Sequence, residues 1–119
     1  MPLYVDGFVV PVPKKSLEAY RKLAKLGKKV WLEHGAIDYR ECVADDVKPG
    51  KWTSFPQSVK LKPNETVVFA WVTYKSRKHR DRVVAKVMKD ARFAGMDPKS
   101  MPFDGKRMIY GGFTTLVGS

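Results

Sequence analysis

Asp6 is the polar residue that demands most of its surroundings. It interrupts the apolar run Tyr4-Val5-Asp6-Gly7-Phe8-Val9-Val10, and strand alternation turns it toward a side expected to carry Phe8 and Trp71. A carboxylate in such a place must be paired, hydrogen-bonded, or held at a raised pKa. It could orient a ligand or accept a proton inside a cavity. The alternative is a structural ion pair across strands with Arg107, and that pairing is the expectation. Glu41 poses the same question further along: a second interior carboxylate, or a solvated residue of an edge strand. The alternation around it is too weak to fix its face. Phe8, Phe69, Trp71 and Tyr110 could line an apolar ligand cavity, although core and dimer interface are the commoner uses of such rings. Phe55-Pro56 could act as a lid over the cavity mouth or pin a loop.

The remaining reactive types form no recognisable machinery. Asp38 and Asp45-Asp46 lack the clustered ligands or Gly-turned loop of a cation site and read as surface turn. His34 and His79 have no carboxylate and nucleophile at the spacing a triad needs. Cys42 is the single cysteine, which excludes an internal disulfide and a Cys-rich zinc site, and it reads as a buried apolar residue. Asp104-Gly105-Lys106 has neither the glycine spacing nor the Lys-Ser/Thr pair of a phosphate loop. No dinucleotide, metal or phosphate motif is present, so no cofactor is implied. Gly111-Gly112 inside a strand calls for a bulge or for close approach of a ring, and the bulge is the expectation.

These residues are positioned by six elements. Leu3–Val12, Ala36–Ala44, Thr66–Tyr74 and Arg107–Val117 read as strands. Between Lys14 and His34, Leu17, Tyr20, Leu23, Gly27 and Val30 recur at helical spacing, with Gly35 as the stop. The second helix starts from Ser76 as N-cap and carries Val83, Val84, Val87 and Met88 on one side. Asp45–Asn64 is a long connection that should be functional or hold a small further element. The order β-α-β-β-α-β with right-handed crossovers predicts an α+β, ferredoxin-like fold: a four-stranded antiparallel sheet with both helices on one face. The uncovered face would carry Phe8, Val10, Phe69 and Trp71, with Val5, Val9, Val68, Ala70 and Val72 turned to the helices. An apolar face of that kind should meet a second copy by two-fold symmetry.

With 119 residues, the chain is one domain, 1–119. Hydrophobic content of 44% and charged content of 29% are a globular balance, against which intrinsic disorder is a poor reading. The apolar runs fall far short of the about 20 residues of a membrane span. Met1-Pro2-Leu3-Tyr4-Val5-Asp6 has no basic start before an apolar stretch, so a cytoplasmic protein is expected. The net charge of +11 is confined to two segments. Lys14–His34 carries seven basic and two acidic residues, Lys75–Arg92 eight and two, and the rest is balanced at eight each. Both charged segments are the predicted helices.

Tyr4-Val5-Asp6-Gly7-Phe8-Val9-Val10-Pro11-Val12-Pro13, Glu41-Cys42, Val67-Val68-Phe69-Ala70-Trp71 and the stretch Met101–Phe113 resemble the YbaA-like family of small bacterial proteins, a domain of unknown function. The resemblance covers essentially the whole chain. It implies a dimeric α+β barrel in which two ferredoxin-like protomers face their sheets and enclose an interior. It implies no activity. Three readings of function follow. The first is a homodimer binding a small molecule in the barrel interior through Asp6, Phe8, Glu41, Trp71, Arg107 and Tyr110, with cofactor-independent catalysis open. The second is sequence-independent nucleic-acid binding through the basic helices, disfavoured because the charge lies behind the sheet whose aromatics RNA modules use. The third is a structural dimer without ligand.

Overall fold

The computed structural model describes residues 2–118; Met1 and Ser119, the ends of the expected domain, lie outside the described residues. Strand β1 (Tyr4–Pro13) leads through a short 3-10 turn into helix α1 (Leu17–Glu33) and strand β2 (Asp38–Val43). A single helical turn, α2 (Phe55–Ser58), interrupts the long connection to β3 (Glu65–Tyr74). Helix α3 (Arg77–Lys89), the turn α4 (Ala91–Ala94) and strand β4 (Ile109–Thr114) complete the order. The local signals explain these limits. Ser76 accepts a hydrogen bond from the His79 amide at 3.1 Å and caps α3. Gly35 takes φ +113° just past α1, a conformation that a side chain resists. The second helix ends at Lys89, just past its apolar stripe, because Asp90 turns extended and caps α4 instead.

The sheet is antiparallel in the order β2-β3-β1-β4. This is the expected ferredoxin-like α+β architecture, with β1 and β3 central. Pairing is continuous, Tyr4 opposite Tyr74 and Pro13 opposite Glu65 on one side of β1, Tyr4 opposite Thr114 and Val9 opposite Ile109 on the other. No residue is skipped at Gly111 or Gly112, so the expected bulge is absent. Gly112 has a different reason: a Cβ there would lie within 3 Å of the Tyr4 hydroxyl oxygen and two atoms of its ring, which packs across it.

Register also corrects the expected faces. Asp6 pairs with Val72, Phe8 with Ala70 and Val10 with Val68, so all six share one face. That face is the helix side. Val72 and Tyr74 are buried against Val30, Val83 and Val87, with Phe8 packed alongside, while Val10, Val12 and Val68 enclose Tyr20. Val5 and Val9 instead share the opposite face with Trp71 and Phe69. Phe8 and Trp71 are therefore on opposite sides of the sheet. Both residue sets of β1 are apolar, so alternation sets the period without saying which set faces inward.

The face away from the helices is covered at one end only. There Val59 and Leu61 of the β2–β3 connection pack on Val9 and Val67. Arg107 fastens this region, donating to both carboxylate oxygens of buried Glu65 at 2.8 and 2.6 Å, to Asp104 at 2.9 Å and to the Lys60 carbonyl at 3.0 Å. Arg107 is thus the partner of Glu65, not of Asp6. The rest of the face is bare. Phe69, Ile109 and Phe113 are exposed, Phe55 stacks edge-on against Phe69, and Trp71 lies beside Phe69 with Arg40 above it. Cys42 is exposed on this same face rather than buried.

Candidate functional site

A cavity of about 820 Å³ lies above the sheet, bordered by helices α1 and α3. Its floor is the helix-side row Asp6, Phe8, Val10, Ala70 and Val72. Tyr20, Leu23, Ala24, Gly27 and Trp31 of α1 form one wall; Arg80, Asp81, Val84, Ala85 and Met88 of α3 form the other. Phe93 of α4 and the segment that follows it to β4 close a third side, with Met96, Met101, Phe103 and Met108. Apolar walls with a few convergent polar groups are the usual build of a small-molecule site. Four of the lining residues are methionines, whose unbranched thioethers adapt to more than one shape.

Two polar clusters reach this chamber. In the first, Asp6 is buried at 7% exposure and accepts from Arg80 Nη1 at 2.6 Å. Arg80 also donates through Nε to Asp81 at 2.8 Å, and its guanidinium lies 5.0 Å from the centre of the Tyr4 ring. Burial pushes the Asp6 carboxyl above its ordinary value, and Arg80 opposes that rise without cancelling it. Tyr74 stays a phenol for related reasons: burial first, then the negative charge of Asp6. Its hydroxyl accepts from Trp31 Nε1 at 3.1 Å.

In the second cluster, the Tyr20 and Tyr39 hydroxyls donate to the two oxygens of Glu41, the Tyr39 bond measuring 2.5 Å. Burial and the charge of Glu41 push both phenols well up, so both remain donors. Gly27 makes room for this arrangement. A Cβ on α1 at that point would fall 2.5 Å from the Tyr39 oxygen. The bond therefore depends on a glycine in mid-helix, where alanine would otherwise be favoured by about 1 kcal/mol.

The structure thus brings together Asp6, Phe8, Glu41 and Tyr110 of the expected site residues. Tyr110 stacks on Phe8 with ring centroids 6.0 Å apart, at the β4 edge of the chamber. Trp71, Arg107 and Phe55 lie on the other side of the sheet and do not border it. The cavity lies between sheet and helices, not on the sheet face where the interior was expected. Arg80, Tyr20 and Tyr39 were missed as site residues. Arg80 carries a readable signal, because it precedes Val83, Val84 and Val87 by three, four and seven residues and so extends their stripe. Of the imidazoles, His34 Nε2 sits 2.8 Å from Asp90 and His79 Nδ1 accepts from the Lys75 amide, both outside the chamber. Among the described residues, no group of three or more His, Cys, Asp or Glu could hold a metal ion. No described helix is long and apolar enough to cross a membrane.

The family model described as "Protein of unknown function (DUF1428)" matches residues 3–105. The chain belongs to that family. It is 48% identical over 114 residues to "Uncharacterized protein YbaA" of Escherichia coli (strain K12), which covers 96% of this chain and 97% of that protein. The Shigella flexneri protein of the same name matches equally. These matches bear out the YbaA-like resemblance. A crystal structure described as a dimeric ferredoxin-like protein from an uncultured marine organism covers 100% of both chains, with a TM-score of 0.60 at 11% identity. At that identity the likeness bears on fold alone. The DUF1428 match spans both helices and the first three strands, and so takes in Asp6, Glu41 and Arg80.

Proposed function

We propose that this DUF1428 protein is a homodimeric small-molecule-binding protein whose ligand enters the chamber between α1, α3 and the sheet. One observation carries the reading: an apolar cavity of about 820 Å³ with two ordered carboxylate clusters opening onto it. An apolar cleft onto which a few hydrogen-bonded polar groups converge is the build expected of a site for an organic ligand. Asp6, with its raised proton affinity, is the group suited to accept or return a proton should the ligand be turned over. The dimer is supported by the bare aromatic sheet face and by the dimeric state of the ferredoxin-like neighbour.

A thermal-shift screen of metabolites against the wild type and Ala85→Trp tests the site. Ala85 is exposed on α3 and borders the cavity, so the indole fills space without disturbing the core. Compounds should raise the wild-type melting temperature and lose that effect in the variant. If nothing shifts the wild type, or if hits survive in Ala85→Trp, the chamber is not the binding site.

A second groove, about 520 Å³ between α1 and β2, is lined by Arg21, Lys25, Lys28 and Arg40 and favours polyanion binding as the alternative reading. Nucleic acid that co-purifies and leaves at about 0.5 M salt would put that reading first.

A further inference from the structure

The sign of the charge inside the chamber is opposite to that of the molecule. The chain carries +11, yet the cavity is bordered by three carboxylates, Asp6, Glu41 and Asp81, against one guanidinium, Arg80. No lysine or histidine reaches it. Arg80 is already spent, shared between Asp6 and Asp81 at 2.6 and 2.8 Å.

Glu41 is the exception among the inward carboxylates. Asp6 and Glu65 each have an arginine within 2.6 Å. Among the described residues, Glu41 has no cation within salt-bridge distance; its two oxygens are met only by neutral phenols. Each carboxylate oxygen has a second acceptor site after one hydrogen bond. The phenols therefore orient the group and leave both its charge and part of its acceptor capacity unused. Around it stand the rings of Tyr20, Tyr39 and Trp31, whose faces attract cations. Glu41 also borders the basic groove of Arg21, Lys25, Lys28 and Arg40, none of which reaches salt-bridge distance of it, so on the side of the apolar chamber its carboxylate keeps acceptor capacity for a cation.

We propose that the ligand class of this chamber is an apolar organic cation, a primary or secondary amine on an aromatic or aliphatic body, with Glu41 as its counter-ion. This rests on the proposed binding function and specifies its chemistry. The ammonium would pair with Glu41 between the two phenols, and the body would lie along Phe8, Trp31 and the methionines. Anions of the same shape would meet net negative charge, and neutral analogues would leave Glu41 unpaired.

Three probes with one naphthalene skeleton test this at neutral pH: naphthylmethylammonium, naphthylmethanol and naphthoate. Dissociation constants are measured by calorimetry on the wild type and on Glu41→Gln. The ammonium should bind at least about ten-fold tighter than the alcohol, as expected for a hydrogen bond to a charged group, and naphthoate should bind weakest. Glu41→Gln should bring the ammonium to within about two-fold of the alcohol while leaving the alcohol unchanged. The wild-type series needs no variant and stands even if Glu41→Gln folds poorly. Equal or tighter binding of the alcohol or naphthoate, or an ammonium preference that survives in Glu41→Gln, overturns the amine assignment and leaves the binding function intact. If none of the three binds, the amine assignment falls, and the metabolite screen alone decides the binding function.

Discussion

Asp6 and Glu65 are both buried and both paired to arginine, yet their proton affinities move in opposite directions. For Asp6, burial outweighs Arg80 and the folded-state pKa rises above the ordinary 3.8. For Glu65, the hydrogen bonds from Arg107 outweigh burial and the pKa falls below the ordinary 4.5. Linkage gives opposite signs. The Asp6 contribution to stability is fully present below pH 3.8 and is lost as pH rises through the raised value. The Glu65 contribution is present above pH 4.5 and is lost as pH falls through the lowered value. Melting temperatures of wild type, Asp6→Asn and Glu65→Gln across the acid range measure this. The gap between wild type and Asp6→Asn should narrow or reverse toward neutral pH, whereas the gap to Glu65→Gln should widen. Parallel slopes would show that the Asp6 environment is not dominated by burial. At this scale the sequence was legible in type and illegible in partnership. Asp6 stands out as a carboxylate in an apolar run, but its arginine lies 74 residues away on α3, where only three-dimensional proximity selects it.

The elements were the most readable level, because hydrophobic periodicity is a local property. Four strands, two long helices and their order follow from alternation, capping and glycine stops, with ends displaced by a few residues. Face assignment did not follow. On β1 both Tyr4-Asp6-Phe8-Val10 and Val5-Gly7-Val9 read as apolar, and a choice by one residue moves every side chain to the other face. That ambiguity put Trp71 beside Phe8, whereas the two lie on opposite sides of the sheet. It also made Arg107 look like a site residue, when it joins the start of β3 to the approach to β4 through Glu65, Asp104 and the Lys60 carbonyl. Arg107→Ala would leave Glu65, whose side chain is 4% exposed, without its cation. Removing one partner of such a pair costs about 3 kcal/mol. Urea unfolding should show that loss, while any ligand of the helix-side chamber should bind Arg107→Ala with unchanged affinity. A stability change below about 1 kcal/mol, or loss of ligand binding in a folded variant, would return Arg107 to the site.

At the scale of the molecule, the question is how a chain of net charge +11 could pair with itself. The placement of the charge answers it. The whole excess lies on Lys14–His34 and Lys75–Arg92, which hold α1 and α3 on one side of the sheet, while the remaining residues balance at eight of each sign. Two copies meeting through their bare sheet faces bring neutral surfaces together and keep the lysine-rich helices outermost, separated by the thickness of two sheets. Sheets packed face to face lie about 10 Å apart, so the helices behind them are further apart than the Debye length of about 8 Å at physiological salt. In such a dimer the repulsion between the helices would be largely screened, and burial of the exposed side chains Phe69, Ile109 and Phe113, with Trp71 beside them, would supply the attraction. Light scattering should give twice the 13.5 kDa chain mass, with little change between low and high salt. Trp71→Glu, which places one charge on each side of the two-fold, should run as a folded monomer. A wild type that is monomeric at micromolar concentration excludes the sheet-to-sheet dimer, and a dimer that dissociates as salt is removed would mean that the helices are closer than this arrangement allows.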